Sequence, residues 1–141
     1  MMGETYAQPY AQAQPIYCRE MKRRTFRKLR AAGEAAFHHH VYVVLLAPGA
    51  ATSRKLLAAN PNRDPKKPCV YVGMSGLTPE ERFKNHKLGI KAARMANRYG
   101  VRLLPALYEC LNPMPFEAAA QMERDLAEDL RSQGYTVAGG T

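Results

Sequence analysis

Five residues have side chains that could do chemistry at positions where the pattern calls for core: Tyr42, Tyr71, Arg82, His86 and Glu123. Wound at about 100° per residue, the stretch after Asn112-Pro113-Met114-Pro115 collects Phe116, Ala119, Ala120, Met122, Leu126, Ala127 and Leu130 on one arc. Glu117, Arg124, Asp125, Glu128 and Asp129 fall on the other side, but Glu123 falls near the middle of the apolar arc. A carboxylate aimed inward loses its hydration unless a cation meets it. Arg82 and His86, four positions apart and so neighbours on a helix surface, share an arc with Phe83, Ile90, Ala93 and Ala96. Tyr42 and Tyr71 are the central residues of two short apolar runs, HVYV and CVYVG. An inward carboxylate can ligate Mg2+ or Mn2+, and a guanidinium fork suits phosphoryl oxygens. His86 could serve as a base, because an imidazole titrates near neutrality. Together these groups match what phosphodiester hydrolysis requires: an aligned water, neutralised phosphoryl charge and an eased leaving oxygen. The bland alternative is a buried Arg82–Glu123 salt bridge with His86 hydrogen-bonded beside it and both tyrosines as ordinary strand core.

The elements that must position these groups are legible. Val41–Ala47 (VYVVLLA) is β-branched and apolar, a buried strand, and residues 68–73 repeat the pattern, with Gly73 permitting close approach beside Tyr71. Between them, residues 48–67 carry Pro-Gly, Asn-Pro-Asn and Asp-Pro-Lys-Lys, a connector with one short helix near Lys55–Ala59. Thr78-Pro79-Glu80-Glu81 is a helix start, with Thr78 as N-cap and Glu81 closing a capping box, and the helix is expected to run to about Tyr99. Val101–Glu109 reads as a third strand, placed at an edge or bulged by Pro105. The last helix runs to Gln133, stopped by Gly134, and Tyr135-Thr136-Val137 could add a short strand. The expected fold is α+β: a small three-stranded, mainly antiparallel sheet flanked by helices in the order β-β-α-β-α.

Upstream, residues 1–17 form a low-complexity arm of Ala, Gln, Pro and Tyr, expected to be disordered. Residues 18–40 form a basic helical extension ending in His38, His39 and His40. Neighbours on a strand alternate faces, so these histidines read as a loop-to-strand junction rather than a metal site. The formal charge of +9 is concentrated: residues 41–102 carry twelve Lys/Arg against three Asp/Glu, whereas residues 103–141 carry two against six. Lys84, Lys87, Lys91, Arg94 and Arg98 fall on one face of the helix after Thr78, a stripe suited to a phosphate backbone. No run of apolar residues is long enough to span a bilayer, and the first residues lack signal-peptide character, so neither a membrane span nor a secretory leader is expected. Cys18, Cys69 and Cys110 lie far apart without a CxxC, matching neither a disulfide framework nor a zinc site, so a cytoplasmic location is expected.

At these positions the sequence resembles the GIY-YIG nuclease superfamily. The name-giving motifs correspond to His40-Val41-Tyr42 and Tyr71-Val72-Gly73, followed by the glycine turn Gly73-Met74-Ser75-Gly76-Leu77 and the arginine helix Glu81–His86. Glu123 matches the family's metal-binding Glu, and the resemblance covers about residues 41–140. It implies a divalent-metal-dependent endonuclease acting on nucleic acid, with DNA the expected substrate and Mg2+ or Mn2+ the expected cofactor. Under it Glu123 holds the metal, Arg82 grips the phosphoryl group, Tyr42 is the general base and Tyr71 positions water or phosphate. The chain departs from the pattern in three places. The first motif lacks its Gly and Ile, the tyrosines are 29 positions apart with residues 48–67 as an insertion, and no Asn stands near Ala138-Gly139-Gly140. The last departure supports an alternative, a nucleic-acid-binding module on the same fold without catalysis.

Overall fold

The computed structural model describes residues 18–25 and 37–141. The low-complexity arm 1–17 and residues 26–36 of the basic extension lie outside the described residues. The chain is α+β, but its sheet has four strands and is mixed. The strands are β1 (His40–Leu46), β2 (Cys69–Ser75), β3 (Gly100–Leu103) and β4 (Thr136–Gly139), in the order β3-β1-β2-β4. β1 pairs antiparallel with β2 and β3, whereas β4 runs parallel to β2. The three-stranded antiparallel expectation is corrected by β4. Its four residues follow the last helix directly, and that helix serves as the crossover a parallel pairing needs. β1 is central, and Val41 through Leu46 are all buried, as a strand covered on both faces requires.

The helices are α1 (residues 18–25), α2 (Arg54–Ala58), α3 (Pro79–Leu88), α4 (Arg94–Tyr99) and α5 (Phe116–Ser132). The capping box of Thr78 and Glu81 opens α3 as the sequence indicates. The single helix expected from Thr78 to Tyr99 is in fact two. Gly89 takes the left-handed conformation (φ 80°) that ends α3, and Lys91 (φ 46°) carries the turn on into α4. Ile90, assigned inward on one long helix, is consequently exposed. The third strand stops at Leu103, since Pro105 opens a 3-10 turn instead of continuing the ladder.

α1 is docked rather than free. Cys18, Met21 and Thr25 form its buried face, and Thr25 Oγ1 donates to Asp125 Oδ2 on α5 at 2.7 Å. Asp125, assigned to the polar side, is therefore buried. The cysteine expectation also needs correction. Cys18 and Cys110, 92 positions apart, form a disulfide with Cα atoms 6.0 Å apart, leaving Cys69 free and buried. Sequence distance concealed a contact made when α1 folds back, so cysteine content lends no support to a reducing compartment. Among the described residues no helix is long and apolar enough to cross a membrane.

Two asparagines replace missing strand partners. The insertion's buried Asn60 accepts from Val137 N at 2.9 Å and donates to Val137 O at 3.0 Å. Asn112 does the same for Val41, accepting at 2.8 Å and donating at 2.7 Å. Each amide satisfies both main-chain groups of one strand residue, groups costly to leave unpaired.

Candidate active site

The antiparallel register sets Tyr42 opposite Gly73 and Val44 opposite Tyr71. Directly opposed residues project to the same face, so both phenols share one face on a diagonal, with ring centroids 6.2 Å apart. Gly73 makes this possible: a Cβ there would stand 2.6 Å from Tyr42 Cζ, because the ring lies across the glycine. Gly139 (φ 75°) does likewise for Tyr71, whose Cε1 would be 2.7 Å from an added Cβ.

His86 enters from α3, fully buried, and its Nε2 lies 2.8 Å from the Tyr42 hydroxyl. The backbone N–H of Ala93 donates to His86 Nδ1 at 3.0 Å. An amide N–H can only donate, so Nδ1 carries the lone pair and the neutral ring's proton sits on Nε2. His86 therefore donates into the phenol oxygen of Tyr42. Burial, with Arg82 nearby as a second cause, lowers its pKa to about 4. Both ring nitrogens are thus engaged, one by Ala93 N and the other by the Tyr42 hydroxyl. The split between α3 and α4 creates this arrangement, since the turn delivers Ala93 N. Asn97 Nδ2 braces the turn by donating to His86 O at 2.8 Å.

Arg82 is half-buried and bonds the same turn, donating to Ile90 O at 3.2 Å and Lys91 O at 2.8 Å. Among the described residues it makes no salt bridge to Glu123; the ion pair present joins Arg24 and Asp129 at 3.8 Å. The salt-bridge alternative is thus not what holds these groups inward. Glu123 lies half-buried beside the fully buried Met122 and has no hydrogen-bond or ion-pair partner among the described residues. Burial raises its pKa to about 7, against a smaller opposing pull from Arg124. Arg82 and Glu123 both act electrostatically on Tyr42 and on Tyr71, so the five sequence-selected residues form one neighbourhood. Burial raises the pKa of both phenols, Tyr71 and Glu123 adding to the effect at Tyr42. Arg82 lowers both, as expected from sequence, but burial outweighs it, so in the protein alone Tyr42 stays protonated at neutral pH.

No group of three or more His, Cys, Asp or Glu side chains able to hold a metal occurs among the described residues. A divalent ion here would rest on Glu123 and on water or phosphate oxygens. An uncompensated, half-buried carboxylate fits that role, since Mg2+ is commonly held by one or two carboxylates and the substrate's own phosphates. The segment Ala138–Gly140 borders the site without offering an amide. Gly139 and Gly140 both have positive φ, and a Cβ on Gly140 would run into Ala127 Cβ. The basic stripe is divided: Lys84 and Lys87 lie on α3, Lys91 in the turn, and Arg94 and Arg98 on α4. Lys87 Nζ donates to Asn97 O at 2.8 Å and so ties the two helices. Ala93 N and Gly139 were missed by sequence reasoning, one being a backbone donor and the other visible only as a small residue.

No protein-family model matches the chain, and neither curated proteins nor solved structures yield a match.

Proposed function

We propose that this chain is a divalent-metal-dependent endonuclease of the GIY-YIG type, hydrolysing phosphodiester bonds in nucleic acid, with DNA the expected substrate. The supporting observation is the hydrogen bond from His86 Nε2 to Tyr42, set beside Tyr71, Arg82 and an unpartnered Glu123. Glu123 would hold Mg2+ or Mn2+, which when bound supplies charge neutralisation at the phosphoryl oxygens and acidifies water. Arg82 has donors left beyond those bonded to Ile90 O and Lys91 O, and offers them to a non-bridging oxygen. In the substrate-bound state Tyr42 first releases its own proton to solvent, and the resulting phenolate accepts the proton of the attacking water as the P–O bond forms. His86 Nε2–H donates to the Tyr42 oxygen while it carries the charge, before the water's proton arrives, so its fixed tautomer steadies the phenolate. The bond to the leaving oxygen breaks, and that oxygen takes a proton from solvent. Tyr71, 5.6 Å from the His86 ring centroid to centroid, positions water or phosphate against this face. Because burial keeps Tyr42 protonated in the free protein, its activation belongs to the substrate-bound state.

A second reading, a nucleic-acid-binding module without catalysis, draws on the absent Asn and the single carboxylate. Incubating plasmid DNA, single-stranded DNA and RNA with Mg2+ or Mn2+, and in parallel with chelator, separates the two. Chelator-sensitive cleavage is expected, with Glu123→Gln lowering it by ~10²-fold or more while the fold persists. Salt-sensitive binding without cleavage would favour the second reading, and cleavage unaffected in Glu123→Gln would remove Glu123 from the mechanism.

A further inference from the structure

Beside the tyrosine face lies a cleft of about 750 Å³ between α2, α4 and β4. Its rim carries Lys55 from α2 and Arg94 and Arg98 from α4, and apolar surface is supplied by Leu56, Met95 and Tyr99. No Asp or Glu is among the described residues that line it. Lys55 and Arg94 are exposed and have no hydrogen-bond or ion-pair partner among the described residues. The guanidinium of Arg98 lies 5.4 Å from the centroid of the Tyr99 ring. Arg131 also lines the cleft; its Nε and Nη2 donate to Asn60 Oδ1 at 3.2 Å and Val137 O at 3.3 Å, which pins its guanidinium to the wall. Gly139 connects the cleft to the tyrosine face. It lines the cleft, and a Cβ added to it would meet the Tyr71 ring, so the two regions adjoin there.

We infer that this cleft receives a nucleotide flanking the scissile phosphate. Its base lies on Tyr99, Met95 and Leu56, and its phosphates lie on Lys55, Arg94 and Arg98. The chemistry is that of sequence-tolerant single-strand binding, a cationic rim following the backbone and an apolar or aromatic surface for the base. The volume lies within the range of ligand sites, about 300–1,000 Å³, and the cleft opens to solvent, as a polymer needs to enter and leave. One side of the cleft comes from α2, within the insertion at 48–67, so the insertion contributes to substrate grip. That the strand is a substrate rests on the nuclease reading; that the cleft binds it does not.

The test measures binding of a short fluorescein-labelled oligothymidylate by anisotropy, with chelator present so that nothing is cut. Lys55→Ala/Arg94→Ala should weaken binding about ten-fold or more. The same variant should reduce the salt slope by roughly 1.4, at ~0.7 for each single-strand phosphate no longer neutralised. Tyr99→Leu should weaken binding about five-fold or more by removing the stacking surface, with circular dichroism checking the fold. Arg19→Ala/Arg23→Ala removes the same charge from exposed positions on α1 and should change binding by less than about two-fold. Equal losses in both double variants, or no oligonucleotide binding by the unmodified chain at low salt, would overturn the assignment. Cleavage by Glu123→Gln is measured separately, so loss of the nuclease reading leaves the binding result standing.

Discussion

Adding one methyl group at Gly73 tests the site at its tightest point. Gly→Ala within a strand ordinarily helps by roughly 0.5–1 kcal/mol, through the conformational entropy of the unfolded chain. Here the new carbon would lie 2.6 Å from Tyr42 Cζ and 3.0 Å from Tyr71 Cε2. Carbon atoms rest about 3.5–4.0 Å apart, so the Tyr42 ring must withdraw by roughly 1 Å. Its hydroxyl is bonded to His86 at 2.8 Å, and His86 is held in place by Ala93 N and by Asn97 Nδ2. The ring cannot move without stretching that bond or displacing α3. Overpacking costs about 1–3 kcal/mol and a broken buried hydrogen bond about 1 more, so after the entropic gain Gly73→Ala should destabilise the chain by roughly 1–3.5 kcal/mol. Urea denaturation gives the stability, and the slowly exchanging Nε2–H resonance of His86 reports the hydrogen bond. A variant within about 0.5 kcal/mol of the parent that retains this resonance would refute the packing argument.

His86 and Glu123 predict opposed pH dependences. The folded pKa of His86, about 4, lies below its ordinary 6.5, so stability is lost as pH falls through that interval. The folded pKa of Glu123, about 7, lies above its ordinary 4.5, so its contribution is present below 4.5 and lost as pH rises to 7. Each contribution has a ceiling of about 3 kcal/mol and the two offset one another. Glu123→Gln should therefore gain stability steadily from pH 4 to 6.5, and urea midpoints that stay flat across that range would contradict the buried, neutral His86. Asn60→Ala strips both main-chain partners from Val137. A loss of about 2–4 kcal/mol is expected by thermal or urea melting, and a loss under about 1 kcal/mol would mean that water replaces the amide.

The candidate site was legible because Arg82, His86 and Glu123 conflicted with apolar arcs, whereas the tyrosines suit their strands and stood out only as a pair. Glu123 in an apolar arc, His86 four positions from Arg82, and two tyrosines in consecutive β-branched runs all converge, and the Thr78–Glu81 cap forms. What escaped depends on partners distant in sequence. Gly100 was the expected helix stop, whereas Gly89 ends α3 and α4 packs against the turn after β1, where Ala47 N donates to Tyr99 O at 2.7 Å. The turn supplies carbonyls for Arg82 and an N–H for His86, contacts that a continuous helix would not offer. β4 was legible as a short apolar run, but its parallel alignment beside β2 follows from the path of α5, which no local signal encodes. Cys18 and Cys110, and likewise Thr25 and Asp125, meet only because α1 folds back.

β4 is one of the two outer strands of the sheet, and an uncovered outer strand invites the same strand of another molecule to zip onto it. Asn60 forestalls this. Its amide already occupies the two outward main-chain groups of Val137, so an incoming chain would find them engaged. The stretch between the two tyrosine strands thus works as a stopper on the sheet. Shortening it would leave a sticky margin and convert a self-contained fold into a seed for intermolecular β-stacking.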